Sequence, residues 1–99
     1  MTIKTIQEGD SAVLAIEGRI DTNTSPQLQE EILKVFKVSK SVILDFDKVP
    51  YISSAGLRAL LIGQKTAASK GATMELVHVS AAVFSILESV GFAALLTIH

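Results

Sequence analysis

Two neighbouring hydroxyls followed by small residues, Ser53-Ser54-Ala55-Gly56-Leu57, carry the residue types and spacing in this chain best suited to chemistry. They come after an apolar run and open a stretch of helical spacing, which puts them at a strand-to-helix corner. The first turn of a helix offers unpaired N–H groups and a partial positive charge, so a phosphate ester on a cap serine is tolerated there. The simplest alternative is a plain helix cap, worth ~1 kcal/mol. A nucleophile elbow would need Gly-x-Ser-x-Gly, and the residue two before Ser54 is Ile52. A small serine hydrolase would further need His78 as base with an acid behind it, and nothing in the spacing ties these to Ser54. There is no cysteine to act as nucleophile or thiolate ligand, and no Gly-rich phosphate loop. We therefore expect no catalytic residue, no metal and no cofactor.

Other polar residues have a bland and a functional reading. Asp21, before Thr22-Asn23, suits an Asx turn closing a loop into a helix. Asp45 lies within an apolar strand and should be a buried carboxylate accepting hydrogen bonds from the backbone of the corner. Arg58, one turn into the helix, is either solvated or paired with an acidic group or phosphate. His78 alternates with Met74 and Leu76, which predicts a packed histidine. Leu57 and Leu61 read as core.

The elements that must position these residues follow from periodicity and punctuation. Ile3–Gln7 and Ala12–Glu17 are β-prone runs around the turn cluster Glu8-Gly9-Asp10-Ser11, an antiparallel hairpin. Pro26 marks the first turn of a helix capped by Thr24 or Ser25, with a capping box to Gln27 if Thr24 is the cap. Leu28, Ile32, Val35 and Phe36 form its inward stripe, and it should end near Val38-Ser39-Lys40. Val42–Phe46 is apolar enough for a central strand covered on both faces. A second helix starts at Ser54, with Leu57, Leu60, Leu61, Gln64 and Ala68 on one side and Gly71 as its stop. Thr73–Val79 predicts a strand, Ser80 caps a third helix ended by Gly91, and Ala94–Ile98 predicts an edge strand. Strands joined by helices imply parallel crossovers, hence an α/β fold with a mixed four- to five-stranded sheet and three or more helices against it.

Composition narrows the partners. Ninety-nine residues make one domain over 1–99 the working expectation, and 48% apolar against 19% charged residues is enough for a core. Nine basic against ten acidic residues leave a net charge of -1 and no field to attract nucleic acid. No stretch has signal-peptide character or the ~18 apolar residues that span a bilayer, so we expect a cytoplasmic protein without direct membrane insertion.

The segment from Val42 to Arg58 resembles the signature of the STAS family, named for sulfate transporters and anti-sigma factor antagonists. That signature is an apolar strand, an Asp, a short loop with Val and an aromatic, then Asp-Ser-Ser-Gly-Leu or Ser-Ser-Ala-Gly-Leu opening a helix. The similarity extends over nearly the whole chain, including the hairpin and the Gly18-Arg19-Ile20-Asp21 loop. It implies an anti-sigma factor antagonist that captures an anti-sigma factor, itself a serine kinase, and is released when Ser54 is phosphorylated. Ser53, where many members carry Asp, is the second candidate for modification. The resemblance also implies a serine phosphatase as a further partner and a contact surface of Asp21, Thr22, Ser53, Ala55, Gly56, Leu57 and Arg58; the oligomeric state stays open between a monomer and a weak homodimer paired through the exposed edge of the sheet. Ala55 and Gly56, being small, would leave the hydroxyl uncovered and let a partner's backbone approach. A STAS accessory subunit of a lipid or phospholipid ABC transporter, docking on its ATPase, is the alternative within the family.

Overall fold

In the computed structural model, which describes residues 1–99, the hairpin comes first: β1 (Thr2–Glu8) pairs antiparallel with β2 (Ser11–Glu17). Glu8 faces Ser11 across a two-residue turn in which Gly9 takes φ 59°, as tight hairpin turns require at their first central position. The chain continues as α1 (Ser25–Val35), β3 (Ser41–Lys48), α2 (Ser54–Lys70), β4 (Thr73–Val77), α3 (Ala81–Ser89) and β5 (Thr97–Ile98). The strands lie in the order β1-β2-β3-β4-β5, and every pairing after the hairpin is parallel. The expected mixed sheet with three helices is thus formed.

One buried cluster of 21 residues holds the fold together. Ala12, Leu14 and Ile16 of β2, Val42, Leu44 and Phe46 of β3, and Met74 and Leu76 of β4 point to one face of the sheet. They meet Leu28, Ile32 and Val35 of α1, Leu57 and Leu60 of α2, and Val83 and Leu87 of α3. All three helices therefore share that face. The expectation that β3 is covered on both sides is corrected: Val42, Leu44 and Phe46 are buried, while Ile43 and Asp45 between them are only half-buried. Apolar composition alone cannot distinguish a strand buried twice from one whose second face is apolar but open.

Helix α2 departs from its expected stripe. Its buried residues are Gly56, Leu57, Ala59, Leu60, Gly63 and Ala67, whereas Leu61 and Gln64 are half-buried and Ala68 is exposed. Beside the expected Leu57 and Leu60, the packing line is completed by the small residues Gly56, Ala59, Gly63 and Ala67, which hydrophobic periodicity undercounts. A Cβ on Gly63 would lie 2.8 Å from Met74 Sδ and 2.9 Å from Ile32 Cγ2, so α2 is drawn against both β4 and α1 at this point. Gly71, at φ 65°, closes the helix as expected.

The remaining differences are local. Thr24 occupies the N-cap of α1 but its side chain makes no capping bond. Its hydroxyl instead accepts from Asp21 N–H at 2.8 Å and donates to the Arg19 carbonyl at 2.8 Å, so the capping box with Gln27 is replaced by a bond that closes the preceding loop. Ser80 does cap α3, accepting from Val83 N–H at 3.2 Å. The last strand is shorter than expected, because residues 93–95 form a turn, in which Leu95 N–H and Leu96 N–H bond the Phe92 carbonyl. No helix is long and apolar enough to cross a membrane.

Candidate functional site

The corner between β3 and α2 is joined to the loop between β2 and α1 by a short backbone ladder. Gly18 N–H donates to the Lys48 carbonyl, Ile20 N–H to the Tyr51 carbonyl, and Ser53 N–H to the Ile20 carbonyl at 2.8 Å. Ile20 and Ile52 form a parallel bridge and are both buried. These apolar pegs bring Asp21-Thr22 alongside Ser53-Ser54, residues about thirty positions apart in the chain. Arg19 crosses the same seam outside, its guanidinium 4.4 Å from the centre of the Tyr51 ring.

The two serines divide their roles. Ser53 is the N-cap of α2, extended at φ -92° and ψ 175°, and its Oγ accepts from Gly56 N–H at 3.4 Å. Its carbonyl takes the first intrahelical bond, from Leu57 N–H at 2.9 Å. Ser54, the next residue, is exposed, and its hydroxyl makes no hydrogen bond within the chain. Its own N–H and that of Ala55 precede the first helical bond and face outward from the helix start. A displayed hydroxyl therefore sits over free N–H donors, with exposed Arg58 one turn further along.

Two of the residues expected at the surface lie beneath it. Gly56 is buried, and a Cβ there would come within 2.6 Å of both Ile20 Cγ2 and Ile52 Cγ1. Its lack of a side chain lets the helix sit on the two pegs, and does not open the corner to a partner's backbone. Leu57 is likewise core, at 5% exposure. The surface at the corner consists of exposed Thr22, Ser54 and Arg58 with half-buried Asp21, Ser53 and Ala55.

Asp21 forms the Asx turn. Its Oδ1 accepts from Asn23 N–H at 2.9 Å and Thr24 N–H at 3.1 Å. The bond from Thr24 N–H leads in holding its carboxyl below the ordinary range; partial desolvation opposes it, and Asn23 N–H, the Thr24 hydroxyl and the Arg19 charge assist.

Asp45 and His78 are both more open than their sequence positions suggest. Asp45 accepts one bond from the corner backbone, Asp47 N–H at 3.0 Å, but it lies on the helix-free face of the sheet. His78 ends the row begun by Met74 and Leu76, yet its φ of 57° is left-handed. That turn of the backbone swings the ring away from the core and onto the open face, where Nδ1 donates to Asp45 Oδ1 at 3.0 Å. The packed histidine expected from alternation is therefore an exposed one. The pair forms an acid–base dyad, but no hydrogen bond links it to Ser53 or Ser54, whose hydroxyls are engaged by Gly56 N–H or by nothing in the chain.

A neighbouring groove was not legible in the corner motif. Pro26, Gln29, Glu30 and Leu33 of α1 face Ala55 and Arg58 of α2 across a depression of about 360 Å³. The available signal was Leu33 itself, an apolar residue at helical spacing from Pro26 and Gln29 but outside the inward stripe.

The fold and the corner define a small α/β domain with one displayed serine at a helix start, and comparison with known proteins agrees on the fold. The STAS domain family model matches residues 2–99, and the chain belongs to that family. The fold is shared with an anti-sigma factor antagonist from Mycobacterium paratuberculosis, with a TM-score of 0.87, 20% identity, and coverage of 99% of this chain and 84% of that one. It is shared with the phosphorylated form of the Bacillus cell fate determinant SpoIIAA at TM-score 0.77 and 13% identity, covering 99% and 91% of the two chains. A sulfate transporter family protein from Wolinella succinogenes superposes at TM-score 0.77 with 24% identity over 91% of this chain and 75% of that one. At these identities the likeness establishes the architecture.

Proposed function

We propose that this protein is an anti-sigma factor antagonist, a non-catalytic partner-switching domain that captures an anti-sigma factor with serine kinase activity and is released by phosphorylation of Ser54. The observation that carries this reading is the contrast within one dipeptide: the Ser53 hydroxyl is spent on capping α2, while the Ser54 hydroxyl is exposed and unbonded. Likeness of fold to named antagonists supports it. Thr22, Ala55, Arg58 and the adjoining groove on α1 are the proposed contact surface, with Asp21 holding the loop in place. Gly56 and Leu57 shape that surface from below.

A phosphate on Ser54 adds roughly 1.5 to 2 negative charges beside free N–H donors, so the domain accepts it without unfolding. At the centre of a desolvated interface the same charge repels the partner, and each ~1.4 kcal/mol of penalty is tenfold in affinity. Release by about 10²–10³-fold needs no large conformational change.

Incubation with ATP and a lysate of the native host should add one phosphate by intact mass, retained in Ser53→Ala and lost in Ser54→Ala. Ser54→Asp should lose capture of the kinase. Normal capture by Ser54→Asp would overturn the switch, and no phosphate together with co-purification of a transport ATPase would favour the transporter subunit instead. Turnover of generic esters abolished by Ser54→Ala would mark a hydrolase.

A further inference from the structure

Arg58 follows Ser54 by four residues on α2, is exposed like it, and takes part in no ion pair. We infer that Arg58 is the clamp of the Ser54 phosphate, and that in closing on it Arg58 leaves the groove between α1 and α2. One covalent mark then changes two parts of the surface at once. This rests on the reading of Ser54 as the phosphorylated residue and adds how the mark is held and what else it alters.

Helix geometry carries the first half. Residues four apart lie one above the other on a helix face with Cβ atoms about 5–6 Å apart, and an anion followed by a cation at that spacing is the favourable order. Long side chains on a helix lean toward its N-terminus, so the Arg58 side chain covers the turn that begins with Ser54. Its guanidinium offers parallel N–H donors that fit two phosphate oxygens together. No group of the chain competes for it, because the ion pairs are Lys48–Glu17, His78–Asp45 and His99–Glu75. Arg19, the other arginine of the corner, is already engaged, with its guanidinium 4.4 Å from the centre of the Tyr51 ring. Asp21, on the same loop, repels a phosphate from that side.

The groove carries the second half. Among the residues lining it, Glu30 and Arg58 are the charged ones, so with the guanidinium in place the groove is neutral overall. Drawing Arg58 back to Ser54 leaves Glu30 as the sole charge beside Pro26, Leu33 and Ala55. A partner surface matched to the neutral groove then meets a carboxylate stripped of its counter-charge, in addition to the phosphate itself.

Phosphoserine placed at position 54 during translation, by suppression of a stop codon, gives the modified chain without any kinase. The second ionisation of the phosphate, ordinarily near pH ~6, is then read by 31P NMR. Arg58→Gln should raise that pKa by about 0.2–0.7 units, the equivalent of an exposed ion pair. Arg58→Lys, which keeps the charge and loses the fork, should recover only part of it. Lys65→Gln removes an exposed cation of α2 roughly 16 Å along the helix from Ser54, beyond the screening length, and should leave the pKa within about 0.1 units. The Leu33 methyl resonances should shift between the unmodified and phosphoserine forms of the parent chain, and stay in place between the same two forms of Arg58→Gln. A phosphate pKa that Arg58→Gln and Lys65→Gln move equally, or that Arg19→Gln moves instead, would overturn the clamp. Leu33 shifts that follow the phosphate equally in both backgrounds would overturn the withdrawal from the groove. These readouts need no partner, so their failure is separate from failure of a host lysate to phosphorylate Ser54, which would sink the switch and leave the clamp standing.

Discussion

Asp45 Oδ1 and His78 Nδ1 lie 3.0 Å apart across β3 and the end of β4, on the face of the sheet that carries no helix. The contact exists because His78 adopts a left-handed backbone, which takes its ring out of the buried row to which its position assigns it. The hydrogen bond to Asp45, then its negative charge, raises the His78 pKa above the ordinary value. For Asp45, desolvation pushes the pKa up, but the bonds from His78 and Asp47 N–H together outweigh it and the net shift is downward.

The pair should give a pH-dependent stability whose sign is fixed by these directions. A raised histidine contributes fully below its unfolded value near 6.5 and loses the contribution as pH rises through the folded value. A lowered Asp contributes above its unfolded value near 3.8 and loses it as pH falls. The difference in melting temperature between the wild type and His78→Gln should therefore be greatest between those values and shrink on going to pH 8.5 (about two units above the ordinary histidine value). An NMR titration placing the His78 imidazole below its ordinary value would contradict this.

Two glycines in α2 should respond differently to alanine. At Gly56 the new Cβ meets Ile20 and Ile52 at 2.6 Å, both fully buried branched side chains with no room to move. Gly56→Ala should cost about 1–3 kcal/mol in denaturant unfolding despite better helix propensity. At Gly63 the new Cβ meets Met74 Sδ at 2.8 Å, on a flexible side chain, and the buried Ile32 Cγ2 at 2.9 Å, so the strain is smaller than at Gly56 without vanishing, and helix propensity returns about 1 kcal/mol. The ordering Gly56→Ala below Gly63→Ala in stability is the result to check.

The serines should separate stability from signalling. Ser53→Ala removes the cap of α2 and should destabilise by ~1 kcal/mol. Ser54→Ala removes a hydroxyl with no bond in the chain and should stay within about 0.5 kcal/mol of the parent. Equal losses from the two, measured by chemical denaturation, would mean that both hydroxyls support the helix.

Asp21 holds its loop through acceptor geometry as well as charge. Asp21→Asn keeps an oxygen for Asn23 N–H and Thr24 N–H, whereas Asp21→Ala keeps none. Melting temperatures at neutral pH should fall in the order wild type, Asn, Ala. The advantage of wild type should fade as acid carries the solution down through the lowered Asp21 pKa.

Much of this protein is local and was therefore readable from residue order. The hairpin turn at Gly9, Pro26 in the first turn of α1, the caps Ser53 or Ser54 and Ser80, and the stop at Gly71 depend on backbone preferences of a few neighbouring residues. The alternating and helical apolar spacings, together with the Val42-to-Arg58 segment, were enough to define an α/β fold with a serine at a helix start. Tertiary structure decided which serine is spent and which is displayed, because the bond from Ser53 N–H to the Ile20 carbonyl ties Ser53 to the neighbouring loop and leaves it as the extended cap residue, with Ser54 outside. It likewise decided that Gly56 is a packing residue, that His78 faces out, and that one apolar face of β3 stays open. Each of these depends on atoms distant in the chain or on a single backbone angle, and side-chain periodicity along one segment records neither.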